Sequence, residues 1–221
     1  MFSPDIVLSI VCPNGLSLSI RHQFIGRSYR NLSLEEPRTR REFMGWSTSF
    51  PSKTSASELT IGVIGLGYVG LPTAIGFLEA GFNVWGVDIS QHSIDLINQG
   101  INPTGDPDVD DIIPARDTER WNITTSAAEA VPHCDVVLVT VPTPITTDLK
   151  PDLSFVEDAG RDVFASIPSG SKKIVVLEST VYPGVTSQTW MPLVKESGLL
   201  IGHDVELAYC PERFNPGDSE H

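Results

Sequence analysis

The stretch "IGVIGLGYVGLPTAIGF" (residues 61–77) decides the predicted fold of this chain. Its opening residues are apolar and β-branched, and Gly65, Gly67 and Gly70 follow in G-x-G-x-x-G spacing before a helix-compatible pattern. A strand, a glycine turn and a helix in this order bring the free N–H groups and positive dipole of a helix N-terminus toward a phosphate. We therefore predict that this stretch opens a nucleotide-binding βαβ unit.

The rest of the chain alternates strands with helices. Apolar, β-rich runs occur at 60–65, 82–88, 121–125, 134–141, 172–180 and 204–210. Helix-compatible segments lie at 68–79, 91–98, 126–131, 153–167 and 185–196. Runs such as Val136 to Val141 are almost continuously hydrophobic, as strands covered on both faces are. The pattern predicts an α/β fold of Rossmann type: a doubly wound parallel sheet of six strands with helices on both faces.

Residues 1–57 differ in composition from the rest of the chain. The whole chain has a net charge of −13, yet this segment carries more Lys and Arg than Asp and Glu. It is rich in Ser and Arg without a sustained helical or strand period. We predict that it is a disordered or non-native N-terminal extension, with Met44 as an alternative start, and that residues 58–221 form one domain.

Composition argues against several classes of protein. The acidic balance disfavours nucleic acid, whose phosphates need a basic footprint. No apolar run approaches the roughly 20 residues of a membrane helix, and the N-terminus does not resemble a secretory signal, so we predict a cytoplasmic location. Cys12, Cys134 and Cys210 lack metal-ligand spacing, which predicts reduced thiols and no metal site.

An acidic residue accompanies the glycine turn. Asp88 ends the second predicted strand, 23 residues after Gly65. A carboxylate there accepts hydrogen bonds from ribose hydroxyls and repels a 2′-phosphate, which favours NAD over NADP. The predicted cofactor-binding residues of this region are Gly65, Gly67, Tyr68, Val69, Gly70 and Asp88. A tight βα turn without a ligand, and FAD or another nucleotide on the same fold, remain alternatives.

Four motifs resemble the UDP-glucose/GDP-mannose dehydrogenase family. They are, in order, "GVIGLGYVGLP" from Gly62, "VPTP" from Val141, "ESTVYPGVT" from Glu178 and "CPERFNPGDSEH" from Cys210. The last is most similar to the branch that acts on UDP-N-acetylhexosamines. The resemblance covers residues 58–221 and implies NAD as the cofactor, a UDP-sugar as the substrate, and homodimers or higher oligomers for full-length members.

The resemblance also implies roles for individual residues. Family members oxidise the sugar C6 hydroxyl to a carboxylate by two hydride transfers to NAD, through a thioester on a cysteine. Carried over by position, Thr180 would help hold a catalytic water and Glu212 would be the acid/base of thioester hydrolysis. Implied cofactor contacts are Val141, Pro142, Thr143, Ser179 and Thr180. Implied substrate contacts are Arg213, Phe214 and Asn215.

Several of these residues also have purely structural interpretations. Pro142 and Pro144 could end a strand, Ser179 and Thr180 could cap a turn, and Glu212 with Arg213 could form a surface ion pair. Cys210 is expected to pack, because the family's catalytic cysteine belongs to a later segment. Ser93 stands where some family members carry a basic residue that contacts the cofactor.

The resemblance implies that the chain corresponds to the N-terminal portion of such an enzyme. We therefore expect it to bind NAD and to be inactive alone. A non-catalytic NAD-binding remnant or module is the alternative. An ordinary alcohol or hydroxyacyl dehydrogenase would need a His or Lys at a strand end, and none is evident.

Overall fold

A computed structural model describes residues 5–11, 17–25, 28–29, 56–112 and 119–210. The strands are β1 (Asp5–Val11), β2 (Ser17–Ile25), β3 (Ser28–Tyr29), β4 (Thr60–Ile64), β5 (Asn83–Val87), β6 (Trp121–Thr124), β7 (Val136–Val139), β8 (Lys173–Leu177) and β9 (Val205–Tyr209). The α-helices are α1 (Gly70–Glu79), α2 (Gln91–Asn98), α3 (Pro107–Ile112), α4 (Ala127–Ala130), α5 (Ser154–Ala165) and α6 (Met191–Glu196). Short 3-10 helices lie at Ala56–Glu58 and Val131–His133, and a π-helical turn at Thr186–Trp190 precedes α6.

Six strands form a parallel sheet in the order β6-β5-β4-β7-β8-β9. This confirms the predicted six-stranded, doubly wound sheet, although the strands are one to four residues shorter than their apolar runs. Helix α3 was not predicted. The strand order reverses between β4 and β7, and such a switch point opens a crevice at the carboxyl ends of the strands.

Apolar side chains cover both faces of the sheet. In β7, Val136 and Leu138 join one buried cluster, while Val137 and Val139 join the other. Helix α1 packs into the first cluster, and α5 and α6 pack into the second. All four residues of β7 are therefore buried, which explains its continuous hydrophobicity and confirms helices on both faces.

The N-terminal segment contains an antiparallel sheet of three strands, in the order β1-β2-β3. The β1–β2 pairing runs from Asp5 opposite Gln23 to Val11 opposite Ser17. This pairing departs from the expectation of a segment without regular structure. The alternation of Leu18 and Ile20 with serines is the feature of the sequence that indicates a strand here. A non-native origin stays a prediction, and residues 30–55 lie outside the described residues.

Trp190 joins α5 to the segment that ends in α6. It is fully buried, and its Nε1–H donates to the carbonyl of Val156 at 3.1 Å. Its ring meets Phe164 edge-on, with ring centroids 5.4 Å apart. A Cβ at Gly160 would lie 2.9 Å from Nε1, so a residue without a side chain at this position lets α5 approach the indole.

We expect Trp190→Phe to lower the free energy of unfolding by about 1–3 kcal/mol, because it leaves a small cavity and removes the donor to Val156. Urea unfolding followed by circular dichroism measures the loss. Trp121→Phe is the matched control, since the buried Nε1 of Trp121 has no acceptor within the part of the chain that the structure describes. Equal losses in the two variants would show that the hydrogen bond contributes nothing.

Candidate functional site

A cleft of about 830 Å³ opens at the carboxyl ends of the strands on both sides of the switch point. Its size lies in the usual range for sites that take small molecules or cofactors. The predicted residues that line it are Gly65, Gly67, Tyr68, Val69, Asp88, Val141, Pro142, Thr143, Ser179 and Thr180. Gly70 is buried at the first position of α1. The fold thus brings residues from the glycine, VPTP and EST motifs to one cleft.

The glycine turn (residues 65–70) is held by the neighbouring strand. Gly65 has φ +94°, a left-handed conformation that glycine adopts at little cost. Its N–H donates to the carbonyl of Val87 at 2.7 Å, and the N–H of Leu66 donates to Oδ2 of Asp88 at 2.8 Å. The turn is therefore fixed to the end of β5 before α1 begins.

Two glycines of the turn serve different purposes. A Cβ at Gly70 would lie 1.8 Å from the carbonyl oxygen of Gly65, so any other residue would push α1 away from the strand. A Cβ at Gly67 would meet no protein atom within 4 Å, because this position faces the open cleft. The backbone at Gly67 therefore leaves room for a ligand to approach it closely.

Helix α1 presents its N-terminal N–H groups at this turn. The N–H of Leu71 donates to the carbonyl of Gly67 at 3.1 Å. N–H groups that precede this first bond have no carbonyl one turn back along the helix. Their positive potential suits the pyrophosphate of a dinucleotide, so the residues present fit an NAD molecule.

Asp88 combines a structural contact with spare acceptor capacity. Its Oδ1 accepts the N–H of Ser90 at 2.9 Å, while Oδ2 accepts the N–H of Leu66. Each carboxylate oxygen has a second acceptor site, so the group can still accept ribose hydroxyls. Ser90 Oγ accepts the N–H of Ser93 at 3.1 Å and caps α2. Ser93 is thus a helix-cap partner, not a basic contact to the cofactor.

Ser179 has a defined partner at the end of β8. The buried hydroxyl donates to the carbonyl of Val141 at 2.7 Å, which joins the EST motif to the VPTP motif. Its proton is used within the protein, and its lone pairs remain for a ligand. Thr180, the next residue, is exposed in the cleft.

Further lining residues were not predicted from the sequence. Thr140 precedes the VPTP motif, and Glu178, only 7% exposed, precedes Ser179. Helix α5 adds Phe155, Asp158, Ala159, Arg161 and Asp162. The "EST" motif was a signal that could have pointed to Glu178. No local signal marks the α5 residues, because only the packing of α5 beside β7 and β8 brings them to the cleft.

The charged side chains that line the cleft are mainly acidic. Four carboxylates, Asp88, Asp158, Asp162 and Glu178, line it, and among the described lining residues Arg161 alone is basic. Arg161 forms an exposed ion pair with Glu196 at 3.1 Å. Attraction for a phosphate must therefore come chiefly from backbone N–H groups at the start of α1.

The described thiols do not resemble nucleophiles. Burial raises the pKa of the Cys134 thiol to about 12, so this thiol stays protonated near neutral pH. Its Sγ donates to the carbonyl of Ala130 at 3.2 Å. Cys210 is half-buried and packs against the first apolar cluster, in line with the expected packing role.

Four predicted residues, Glu212, Arg213, Phe214 and Asn215, lie outside the described residues. Across the described ranges, no group of three or more His, Cys, Asp or Glu side chains is arranged to hold a metal ion. In the same ranges no helix is long and apolar enough to cross a membrane.

Residues 59–221 match the model of the NAD binding domain of the UDP-glucose/GDP-mannose dehydrogenase family. UDP-N-acetyl-D-glucosamine 6-dehydrogenase of Pseudomonas aeruginosa is 39% identical over 165 residues, which are 74% of this chain and 37% of that protein. UDP-N-acetyl-D-mannosamine dehydrogenase of Escherichia coli K12 is 39% identical over 169 residues, 73% of this chain and 39% of that protein. The chain thus spans well under half the length of these relatives.

Solved structures show the same fold. The GDP-mannose dehydrogenase of Pseudomonas aeruginosa, solved as a ternary complex, superposes with a TM-score of 0.67 at 34% identity, over 71% of this chain and 36% of that one. The UDP-D-ManNAc dehydrogenase of Pyrococcus horikoshii superposes with a TM-score of 0.65 at 36% identity, over 72% of this chain and 37% of that one. The family match, the parallel sheet and the glycine turn agree: the chain belongs to the UDP-glucose/GDP-mannose dehydrogenase family and carries its NAD-binding domain.

Proposed function

We propose that this chain is the cofactor-binding part of an NAD-dependent nucleotide-sugar 6-dehydrogenase. The reaction is oxidation of the C6 hydroxyl of a UDP-sugar, a UDP-N-acetylhexosamine, to the uronate, as a step in polysaccharide precursor synthesis. The observation that carries the proposal is the glycine turn, tied by Leu66 N–H to Asp88 at the switch point of the sheet. The names of the relatives support the substrate class.

Different residues of the cleft bind different parts of the dinucleotide. N–H groups at the start of α1 bind the pyrophosphate, and Asp88 accepts the adenosine ribose hydroxyls with the oxygen sites that Leu66 and Ser90 leave open. Val141, Pro142 and Thr143 follow β7, line the cleft and would lie along the cofactor. When bound, NAD would accept a hydride from the sugar C6, and oxidation to the uronate would use two NAD molecules in succession.

Thr180 and Glu212 are the proposed catalytic residues. Thr180 is exposed in the cleft and would help to hold the catalytic water, while the neighbouring Ser179 fixes the backbone through its bond to Val141. Glu212, assigned by resemblance alone, transfers the proton of that water during hydrolysis of the acyl intermediate. Cys134 is not the acyl carrier, because its thiol is buried and protonated.

A non-catalytic NAD-binding module is the second candidate. The observation that favours it is that neither described thiol is fully exposed and that burial raises the pKa of the Cys134 thiol, since covalent catalysis needs a reactive thiolate. A cytoplasmic location, the absence of nucleic-acid partners and a homodimer or higher oligomer are proposals from composition and from the family.

We expect Asp88→Asn to weaken NAD binding about tenfold and to narrow the preference for NAD over NADP, because the variant loses a charged acceptor and no longer repels a 2′-phosphate. Isothermal titration of both dinucleotides into the parent chain and the variant gives the ratio of the two Kd values. Asp95→Asn, an exposed change on α2, is the control and should leave the ratio unchanged. An unchanged ratio of the two Kd values in Asp88→Asn would show that Asp88 does not contact the adenosine ribose.

The substrate class is tested with protein isolated from its native source. We expect NADH to form with one of the UDP-N-acetylhexosamines and to form far more slowly with UDP-glucose or GDP-mannose. The 221-residue chain, assayed in parallel, should bind NAD without turnover. A native protein that binds NAD and oxidises no nucleotide sugar would favour the non-catalytic module.

A further inference from the structure

Thr140 occupies the point where β7 meets the glycine turn. Its backbone N–H donates to the carbonyl of Ile64 at 2.9 Å and so extends the β4–β7 pairing by one residue. Its hydroxyl Oγ1 lies 2.8 Å from the carbonyl oxygen of Gly65 and 3.0 Å from that of Ile64. A single side chain thus donates to the backbone on which the turn is built.

The same hydroxyl touches the start of the helix. A Cβ at Gly70 would lie 2.4 Å from Thr140 Oγ1 and 1.8 Å from the carbonyl oxygen of Gly65. Three groups therefore meet at one place: the Thr140 hydroxyl, the Gly65 carbonyl and the Gly70 backbone. A shift of the Gly65 carbonyl would be transmitted directly to the first turn of α1.

Two neighbouring strands fix the dipeptide Gly65–Leu66, which precedes the N–H groups at the start of α1. The N–H of Gly65 is held by the Val87 carbonyl and that of Leu66 by Asp88, both at the end of β5. The Gly65 carbonyl is held from the other side by Thr140, which follows β7. With donors and acceptor all restrained, the N–H groups that follow are oriented before a ligand arrives, which lowers the cost of binding.

We propose that Thr140 is a positioning residue for the pyrophosphate of the dinucleotide. It acts through the carbonyl of Gly65 and not by a hydrogen bond to the pyrophosphate, because phosphate oxygens only accept and the hydroxyl proton is donated within the protein. This inference rests on the proposed NAD site and adds to it a residue outside both the glycine motif and the VPTP motif.

The Thr140 hydroxyl can be removed without loss of the strand pairing at this position. Strand pairing at this position uses the backbone N–H of Thr140, which every substitution except proline retains. Removal of the hydroxyl therefore leaves the β4–β7 ladder in place and frees only the turn. A contribution limited to folding would lower stability without a selective effect on phosphate-containing ligands.

The experiment compares Thr140→Val, Thr140→Ser and Val136→Ala in the full 221-residue chain. Val136, 2% exposed and the first residue of β7, the strand that Thr140 follows, serves as the destabilised control. Binding of NAD, ADP and adenosine is measured by calorimetry or by NMR titration, and the midpoint of thermal unfolding is recorded for each variant. Adenosine reports the ribose and base contacts without the pyrophosphate.

We expect Thr140→Val to raise the Kd of NAD and of ADP about tenfold and to leave the Kd of adenosine within about twofold. Thr140→Ser, which keeps the hydroxyl, should bind ADP within about threefold of the parent chain. Val136→Ala should lose thermal stability and keep the parent ratio of ADP to adenosine affinity. This combination assigns the effect to the turn and not to global destabilisation.

Thr140→Ala, which brings no extra methyl group against the Gly65 carbonyl, replaces Thr140→Val if that variant does not fold. Parent-like binding of ADP by either hydroxyl-free variant overturns the inference while the proposed NAD site stands. A parent chain that binds neither NAD nor ADP overturns the proposed function, and this inference with it.

Discussion

The contact between the Gly65 carbonyl and the backbone of Gly70 is the constraint on which the site depends. The two groups are so close that a single added carbon at position 70 would lie 1.8 Å from the carbonyl oxygen. This approach lets α1 begin close to the end of β4, directly after Gly67, Tyr68 and Val69, which line the cleft. The sheet order supplies the opening, because β4 lies between β5 and β7, where the order of the strands reverses.

Charge makes this backbone geometry more important than it would be in a neutral protein. The chain has a net charge of −13, and carboxylates outnumber the one arginine among the described side chains that line the cleft. Long-range fields of this sign oppose a dinucleotide, although screening limits them to about 8 Å at physiological salt. Short-range donation from N–H groups therefore has to provide the attraction, and its strength depends on how well those groups are oriented.

The parts of the fold that follow local rules were predictable from the sequence. Continuous apolar residues indicate buried strands such as Val136–Val139. The glycine spacing from Gly65 to Gly70 predicts a tight turn from the sequence alone. Helix α3 was missed because "PDVDDI" is short and mostly polar, so it carries little hydrophobic period. Strands β1 and β2 were not predicted, because the alternation of Leu18 and Ile20 with serines is short and the composition of the segment is typical of irregular structure.

In the candidate site, too, some residues could be predicted from local sequence and others could not. Residues that belong to motifs, such as Asp88 and Thr180, could be proposed from the sequence because spacing and resemblance mark them. Thr140 and the residues of α5 could not, since their position depends on strands and helices that are distant in the chain. The donation by Ser179 to Val141 was also beyond sequence reasoning, because it depends on the register between β7 and β8.

The most direct test of the account is the affinity of the chain for NAD when Gly67 is replaced by valine. A side chain at this position enters open space in the cleft and meets no protein atom within 4 Å at its Cβ, so the fold should tolerate it. We expect Gly67→Val to have a thermal unfolding midpoint near that of the parent chain and to lose NAD affinity by about tenfold or more, since the ligand can no longer approach the backbone. Ser169→Val, at an exposed position before the amino end of β8, should change neither quantity. Unchanged NAD binding in Gly67→Val would contradict the claim that the glycine turn forms the dinucleotide site.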